Sequence, residues 1–256
     1  MLSEDEKQRF QSVIGKLFYV SGNSRIDLSA AVSLISSYVS APRQSHVSAL
    51  KRILRYCKGT LDFGIVLGGT QDTPLLVGYS DADWANCPDS RRSRTGYVFQ
   101  IGSGCITWNS KKQPTVALST AEAEYMSLSA ATQELKWLSQ LLGELGFPQD
   151  VVTLKQDNTA CINIADSSTS HARTKHIDLR HHFIREAKKQ GLLKLEWCST
   201  DIMLADILTK AMPAPRFLKL RGLLNVIPLE VFYTGSKEAV DNTSVCKSTR
   251  RISTND

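Results

Sequence analysis

The chain has 256 residues, 42% hydrophobic and 22% charged, which is the composition of an ordinary globular protein large enough to bury a core. Lys and Arg number 31 against 25 Asp and Glu, and the net charge of +6 favours an anionic partner. No apolar run approaches the roughly 18 residues of a membrane span, no targeting pattern marks the opening MLSEDEKQRF, and the six cysteines (57, 87, 105, 161, 198, 246) form no C-x-x-C pair, so reduced thiols in an intracellular setting are expected.

Taken in order, residues 8 to 60 read as helices. They are QRFQSVIGKLFYVSG, then RIDLSAAVSLISSYVSA with Asp27 as a possible cap, then HVSALKRILRYCKGT beyond Pro42. In the third, Val47, Leu50, Ile53, Leu54 and Cys57 form an inner face and Lys51, Arg52, Arg55 and Lys58 a basic outer one. From about residue 64 the period becomes strand-like through GIVLGG, LLVGYSD, TGYVFQIG and CITWNSKK. Gly102-Ser103-Gly104 joins the last two as an antiparallel hairpin. A long helix runs from Thr120 to about Gly146 behind the capping signature Ser119-Thr120-Ala121-Glu122. There follow a strand VVTLKQD, a helix NTACINIAD, a basic segment RTKHIDLRHHFIREAKKQG, a strand LLKLEWCS and a short helix DIMLADILTKAM. A polar tail without period, residues 232–256, is expected to be disordered. A boundary between residues 60 and 73 separates a helical segment, 1–63, from an α/β domain, 70–228.

The chemistry concentrates in acids that end apolar elements. Leu75, Val77, Tyr79 and Asp81 share one side of a strand, so Asp81 sits with side chains that pack and needs a cation or a partner to offset its burial. An Asp-rich turn closing the strand is the other reading, and Asp83 stands in reserve for the same position. In the long helix, Glu124, Leu128, Ala131, Leu135, Leu138 and Leu142 form one stripe that faces the core. Glu122 lies off the stripe and is assigned to the helix start. Asp157 ends the strand VVTLKQD and is either a site acid or the cap of the next helix. Asp206 is flanked by apolar residues within LADIL. Carboxylates from several elements are what two-metal phosphodiester hydrolysis requires, and all-oxygen ligands suit two Mg²⁺ or Mn²⁺ ions.

The histidines at 171, 176, 181 and 182 lack the spacing of a helical zinc pair. Lys175, His176, Arg180 and Arg185 are instead candidates for nucleic-acid phosphate contact, with Arg91, Arg92, Arg94, Lys111 and Lys112 extending the surface; a solvated charge run is the alternative.

GYSDADWA, LSTAEAEYMSL, KQDNTACI, TKHIDLRHHFIRE and ADILTKAMP together resemble the RNase H domain of Ty1/copia-type retrotransposon Pol polyproteins. GKLFYVSGNSRIDLSAAVSLISSYVSAP and HVSALKRILRYCKGT resemble the thumb- or connection-like end of the reverse transcriptase upstream, and the likeness covers about residues 8 to 225. The resemblance implies an RNase H-like mixed sheet flanked by helices, its first three strands antiparallel, preceded by a small helical segment. It also implies that Asp81, Glu124, Asp157 and Asp206 are the catalytic, metal-holding acids of a ribonuclease that cuts the RNA strand of RNA–DNA hybrids. The implied setting is intracellular virus-like particles, with the reverse transcriptase portion of the same polyprotein as partner. Two departures stand out: Ser199 to Ala205 contains no histidine, and no Y-x-D-D polymerase signature is present. A catalytically inactive, nucleic-acid-binding remnant is the second reading.

Overall fold

The computed structural model describes residues 2–68, 75–166 and 178–230, which divide into two compact units, Leu67–Lys210 and Met1–Val66 with the chain from Ala211 onward. The first unit begins with α1 (Glu4–Asn23), where the Ser3 hydroxyl accepts from the Glu6 amide and the Glu6 carboxylate accepts from the Ser3 amide. Phe10, Ile14 and Leu17, spaced by four and three residues, bury one stripe of α1 against α2 (Ser29–Ser36) and α3 (Gln44–Lys58), meeting Leu28, Val32, Ile35, Leu50 and Ile53. Leu54 is 41% exposed rather than on the inner face, because the buried stripe of α3 runs through Leu50, Ile53 and Cys57 and passes beside it. Asp27 does not cap a helix. It is buried in a short 3-10 turn, where its carboxylate accepts from Arg25 Nε and Nη2 at 2.9 and 2.8 Å and from the Tyr56 hydroxyl at 2.7 Å. A short strand, β1 (Phe63–Ile65), ends this part.

The second unit is built on a five-stranded sheet. β2 (Leu76–Asp83), β3 (Arg94–Ile101) and β4 (Gly104–Lys112) run antiparallel, with Gly102 at φ +60° in the tight turn between the last two. α4 (Thr120–Glu144) crosses the sheet, after which β5 (Val152–Gln156) pairs parallel to β2. α5 (Thr159–Asp166) and α6 (Asp178–Lys189) precede β6 (Leu193–Trp197), which adds parallel to β5, and the short α7 (Asp206–Thr209) closes the unit. The strand order is β4-β3-β2-β5-β6, so β2 lies at the centre with partners on both sides. This is the expected mixed sheet flanked by helices. The expected stripe of α4 is buried at every position from Glu124 to Leu142 and packs with Phe99, Leu154, Cys161 and Ile184 into one core.

The chain beyond Lys210 departs from the expected domain range of 70–228. α8 (Ala214–Leu223) and β7 (Val226–Pro228) belong to the first unit. β7 pairs antiparallel with β1, Leu229 N–H donates to the Asp62 carbonyl at 2.8 Å, and Arg221 lies over the Phe63 ring while donating to the Tyr56 hydroxyl at 3.0 Å. The strand read from GIVLGG is therefore half of a two-stranded ribbon with β7. The tail 232–256 lies outside the described residues.

Candidate active site

Parallel pairing of β2 with β5, in which Tyr79 lies opposite Lys155, carries Asp81 and Asp157 to the same end of the sheet two residues further on. On the other side of β2, Asp81 lies opposite Gly96 of β3. A Cβ at Gly96 would stand 2.5 Å from Thr209 Cγ2 and 2.9 Å from Leu208 Cβ, so the glycine is what allows α7 to press against the strand. That approach brings Asp206 to Asp81. Single ligand oxygens of Asp81, Asp157 and Asp206 all lie within 4.8 Å of one another, and among the described residues no histidine, cysteine or glutamate joins that group, so Glu124, the fourth expected acid, stands outside it.

Glu124 enters from above, on the inward stripe of α4. Ser127, three residues along the helix, donates its hydroxyl to the Asp81 carbonyl at 2.7 Å and to the Gly96 carbonyl at 3.2 Å, which fixes the height of α4 over β2 and β3. Gln113 adds a second tie, donating to Thr95 Oγ1 and to the Ala123 carbonyl at 3.1 and 2.9 Å. The Glu124 carboxyl accepts from Gln156 Nε2 at 3.3 Å. Burial, together with the charges of Asp81 and Asp157, raises its pKa well above the usual carboxylate range; Lys210 and Gln156 only partly offset this. Asp157 is raised in the same direction by burial and Asp81. The helix-cap role open to Asp157 falls to its neighbour: Asn158 Oδ1 accepts from the Cys161 amide at 3.0 Å. Asp157 Oδ2 instead accepts from Thr200 at 3.1 Å, and its carbonyl accepts from the half-exposed Trp197 indole at 3.1 Å.

Asp83, the reserve for the first acid, is partly exposed at the strand end and holds Asn86. Glu122 is buried on another side of α4, where its Oε2 accepts from the Leu118 amide at 2.7 Å, while the Ser119 hydroxyl accepts from the Glu122 amide at 3.1 Å. It secures the chain before the helix. A Glu122→Gln chain keeps an acceptor there, so any nuclease activity should survive that change nearly intact; an activity loss equal to that of Glu124→Gln would reverse the two roles.

Lys210 is the participant that the sequence reading missed. Its ammonium donates to Asp81 Oδ1 at 2.9 Å and to Asp206 Oδ1 at 2.8 Å, and Thr209 donates its hydroxyl to the other Asp81 oxygen. The i, i+4 spacing of Asp206 and Lys210 was the available signal.

Of the basic candidates, Arg180 borders a cavity of about 590 Å³ shared with Arg92, Lys111, Lys112, Thr95 and Asn109. Arg185 is half-buried near Tyr125 of α4. Lys175 and His176 lie outside the described residues.

The Pol polyprotein of transposon TNT 1-94 from Nicotiana tabacum is 41% identical over 211 residues, which is 82% of this chain, and that of transposon RE2 from Arabidopsis thaliana is 39% identical over 219 residues, or 85%. The chain belongs to the retrovirus-related Pol polyproteins of copia-type transposons. It spans about one sixth of these Pol relatives, 16% and 15% of their lengths. No family model matches the chain. Among solved structures, LC11-RNase H1 in complex with an RNA/DNA hybrid is 14% identical, covering 52% of this chain and 93% of that one at a TM-score of 0.41.

Proposed function

We propose that this segment of a copia-type Pol polyprotein is a ribonuclease H, which uses divalent cations to hydrolyse the RNA strand of RNA–DNA hybrids. The observation that carries this reading is the convergence of Asp81, Asp157 and Asp206 from three separate elements, with ligand oxygens within 4.8 Å and Glu124 buried beside them. The donors fit a hard cation, since they are all oxygens and an ammonium already lies between two of them. Asp81, Glu124, Asp157 and Asp206 would hold Mg²⁺ or Mn²⁺. When bound, two such ions supply an acidified water and neutralise the charge that builds on the leaving 3′-oxygen.

The surrounding residues orient these ligands. Thr209 and Thr200 each hold one oxygen of an aspartate, and the Gln156 amide turns the Glu124 carboxyl toward the sheet. Gln156 is itself braced, because its Oε1 accepts from the Asp157 amide at 2.9 Å. Arg92, Lys111, Lys112 and Arg180 offer a cationic rim on which a nucleic-acid backbone can lie. In the intact polyprotein, within intracellular virus-like particles, the helical first unit would continue the reverse transcriptase.

The test is cleavage of an end-labelled RNA–DNA hybrid by the purified chain with Mg²⁺, beside the same reaction in EDTA. RNA-strand products that require Mg²⁺ are expected, with DNA duplex left intact. A hybrid that is bound yet uncut at every Mg²⁺ and Mn²⁺ concentration would instead identify a catalytically inactive, nucleic-acid-binding remnant.

A further inference from the structure

We infer that Lys210 is a resident counter-cation of the acid centre, and that a divalent ion binds there by displacing it. The inference rests on the metal-binding reading above and concerns what this chain does before any metal arrives.

Asp81 and Asp206 carboxylates are both wholly buried, and carboxylates removed from water need a compensating charge close by. Lys210 supplies it from the rim. Its side chain is 31% exposed, and its backbone is extended at φ -119° and ψ 144°, just past the end of α7. The ammonium reaches inward along a flexible four-carbon stem and places one nitrogen within 2.9 Å of an oxygen from each aspartate.

A divalent ion held by the Asp81 and Asp206 carboxylates would compete with the ammonium for them. At the usual metal–oxygen distances of about 2.0 to 2.6 Å, an ion held by both carboxylates would leave no room for an ammonium between them. Ammonium and metal exclude each other there by size as well as by charge. One positive charge is also a poor match for Asp81, Asp157 and Asp206 together, so the exchange of an ammonium for divalent ions is favoured in direction but carries the cost of breaking two charge-assisted hydrogen bonds. The partial exposure of Lys210 gives the displaced side chain a path into solvent. A purely structural ion pair would behave differently, since it would persist when metal binds.

The experiment is a calorimetric Mg²⁺ titration of the full chain without nucleic acid, on the unsubstituted protein, Lys210→Gln and Lys210→Arg. With the competitor removed, Lys210→Gln should bind Mg²⁺ about tenfold or more tightly, whereas Lys210→Arg should bind no more tightly than the unsubstituted chain. Thermal melts provide the second readout. Without metal, Lys210→Gln should melt well below the unsubstituted chain, and saturating Mg²⁺ should restore most of the difference. Affinity that is unchanged or weaker in Lys210→Gln overturns the inference while leaving metal binding in place, and absence of Mg²⁺ binding by the unsubstituted chain removes the metal-binding reading itself. Should Lys210→Gln fail to fold even with Mg²⁺, the ¹⁵Nζ spectrum of the unsubstituted chain decides. A protected Lys210 ammonium signal in EDTA, identified by its absence from Lys210→Arg, should disappear on adding Mg²⁺; its persistence at saturation overturns the inference.

Discussion

Asp81→Asn should abolish hybrid cleavage to beyond a hundredfold loss while the chain stays folded and still binds hybrid. Loss of a residue that merely orients a metal ligand commonly costs about 10- to 100-fold, and under the proposed function Asp81 would hold the metal itself. It is central in the sheet, fully buried, and shares Lys210 with Asp206. Asparagine keeps the shape and still offers an oxygen to Thr209; its NH2 then meets the Lys210 ammonium, which keeps Asp206 as a partner, so the chain should stay folded at a lower melting point. Glu124→Gln and Asp157→Asn should follow the same pattern. Initial rates measured beside hybrid-binding isotherms check this, and an Asp81→Asn chain that cuts at the unsubstituted rate would move the first acid to Asp83.

Gly96→Val should be nearly as damaging without touching an acid. A Cβ there would lie 2.5 Å from Thr209 Cγ2, 2.9 Å from Leu208 Cβ and 3.1 Å from the Ala205 carbonyl oxygen, and backbone cannot yield as a flexible side-chain tip would. Either α7 lifts away from β3, taking Asp206, Thr209 and Lys210 with it, or the fold absorbs an overpacking cost of about 1–3 kcal/mol. For a chain of this size that corresponds to a melting point lower by roughly 2–12 °C. Gly143→Ala is the matched control. No heavy atom lies within 4 Å of a Cβ built at Gly143 in the last turn of α4, so alanine should leave cleavage alone and stabilise by about 0.4–1 kcal/mol. Melting curves and cleavage rates of the two variants check the pair, and a Gly96→Val chain with unchanged activity and an unchanged melting point would mean that α7 does not press on β3 at Gly96.

Local periodicity was enough to locate β2, the hairpin of β3 and β4, and the inward side of α4, because burial on one face imposes a repeat of two or 3.6 that survives without knowledge of any partner. Glu124 could be chosen over Glu122 for that reason alone: one lies on the buried stripe and the other beside it. The order of the four acids along the chain was legible in the same way, each ending or interrupting an apolar element. Which elements become neighbours is a different kind of information. Asp157 reaches Asp81 only through the parallel register of β5 on β2, and Asn158 rather than Asp157 caps α5 because the helix begins at Thr159. The sequence of the first helices shows apolar faces but not the buried ion pair of Asp27 with Arg25, which Tyr56 completes from 29 residues away. Residues 211 to 228 look like a continuation of the α/β domain, and only the pairing of β7 with β1 and the seat of Arg221 on Phe63 assign them to the first unit. The i, i+4 spacing pairs Lys210 with Asp206 but says nothing of Asp81. The meeting of Lys210 with Asp81, 129 positions earlier in the chain, depends on α7 folding against β2, and charge compensation between buried groups is decided at that closure, where the solvent that would otherwise screen them is excluded.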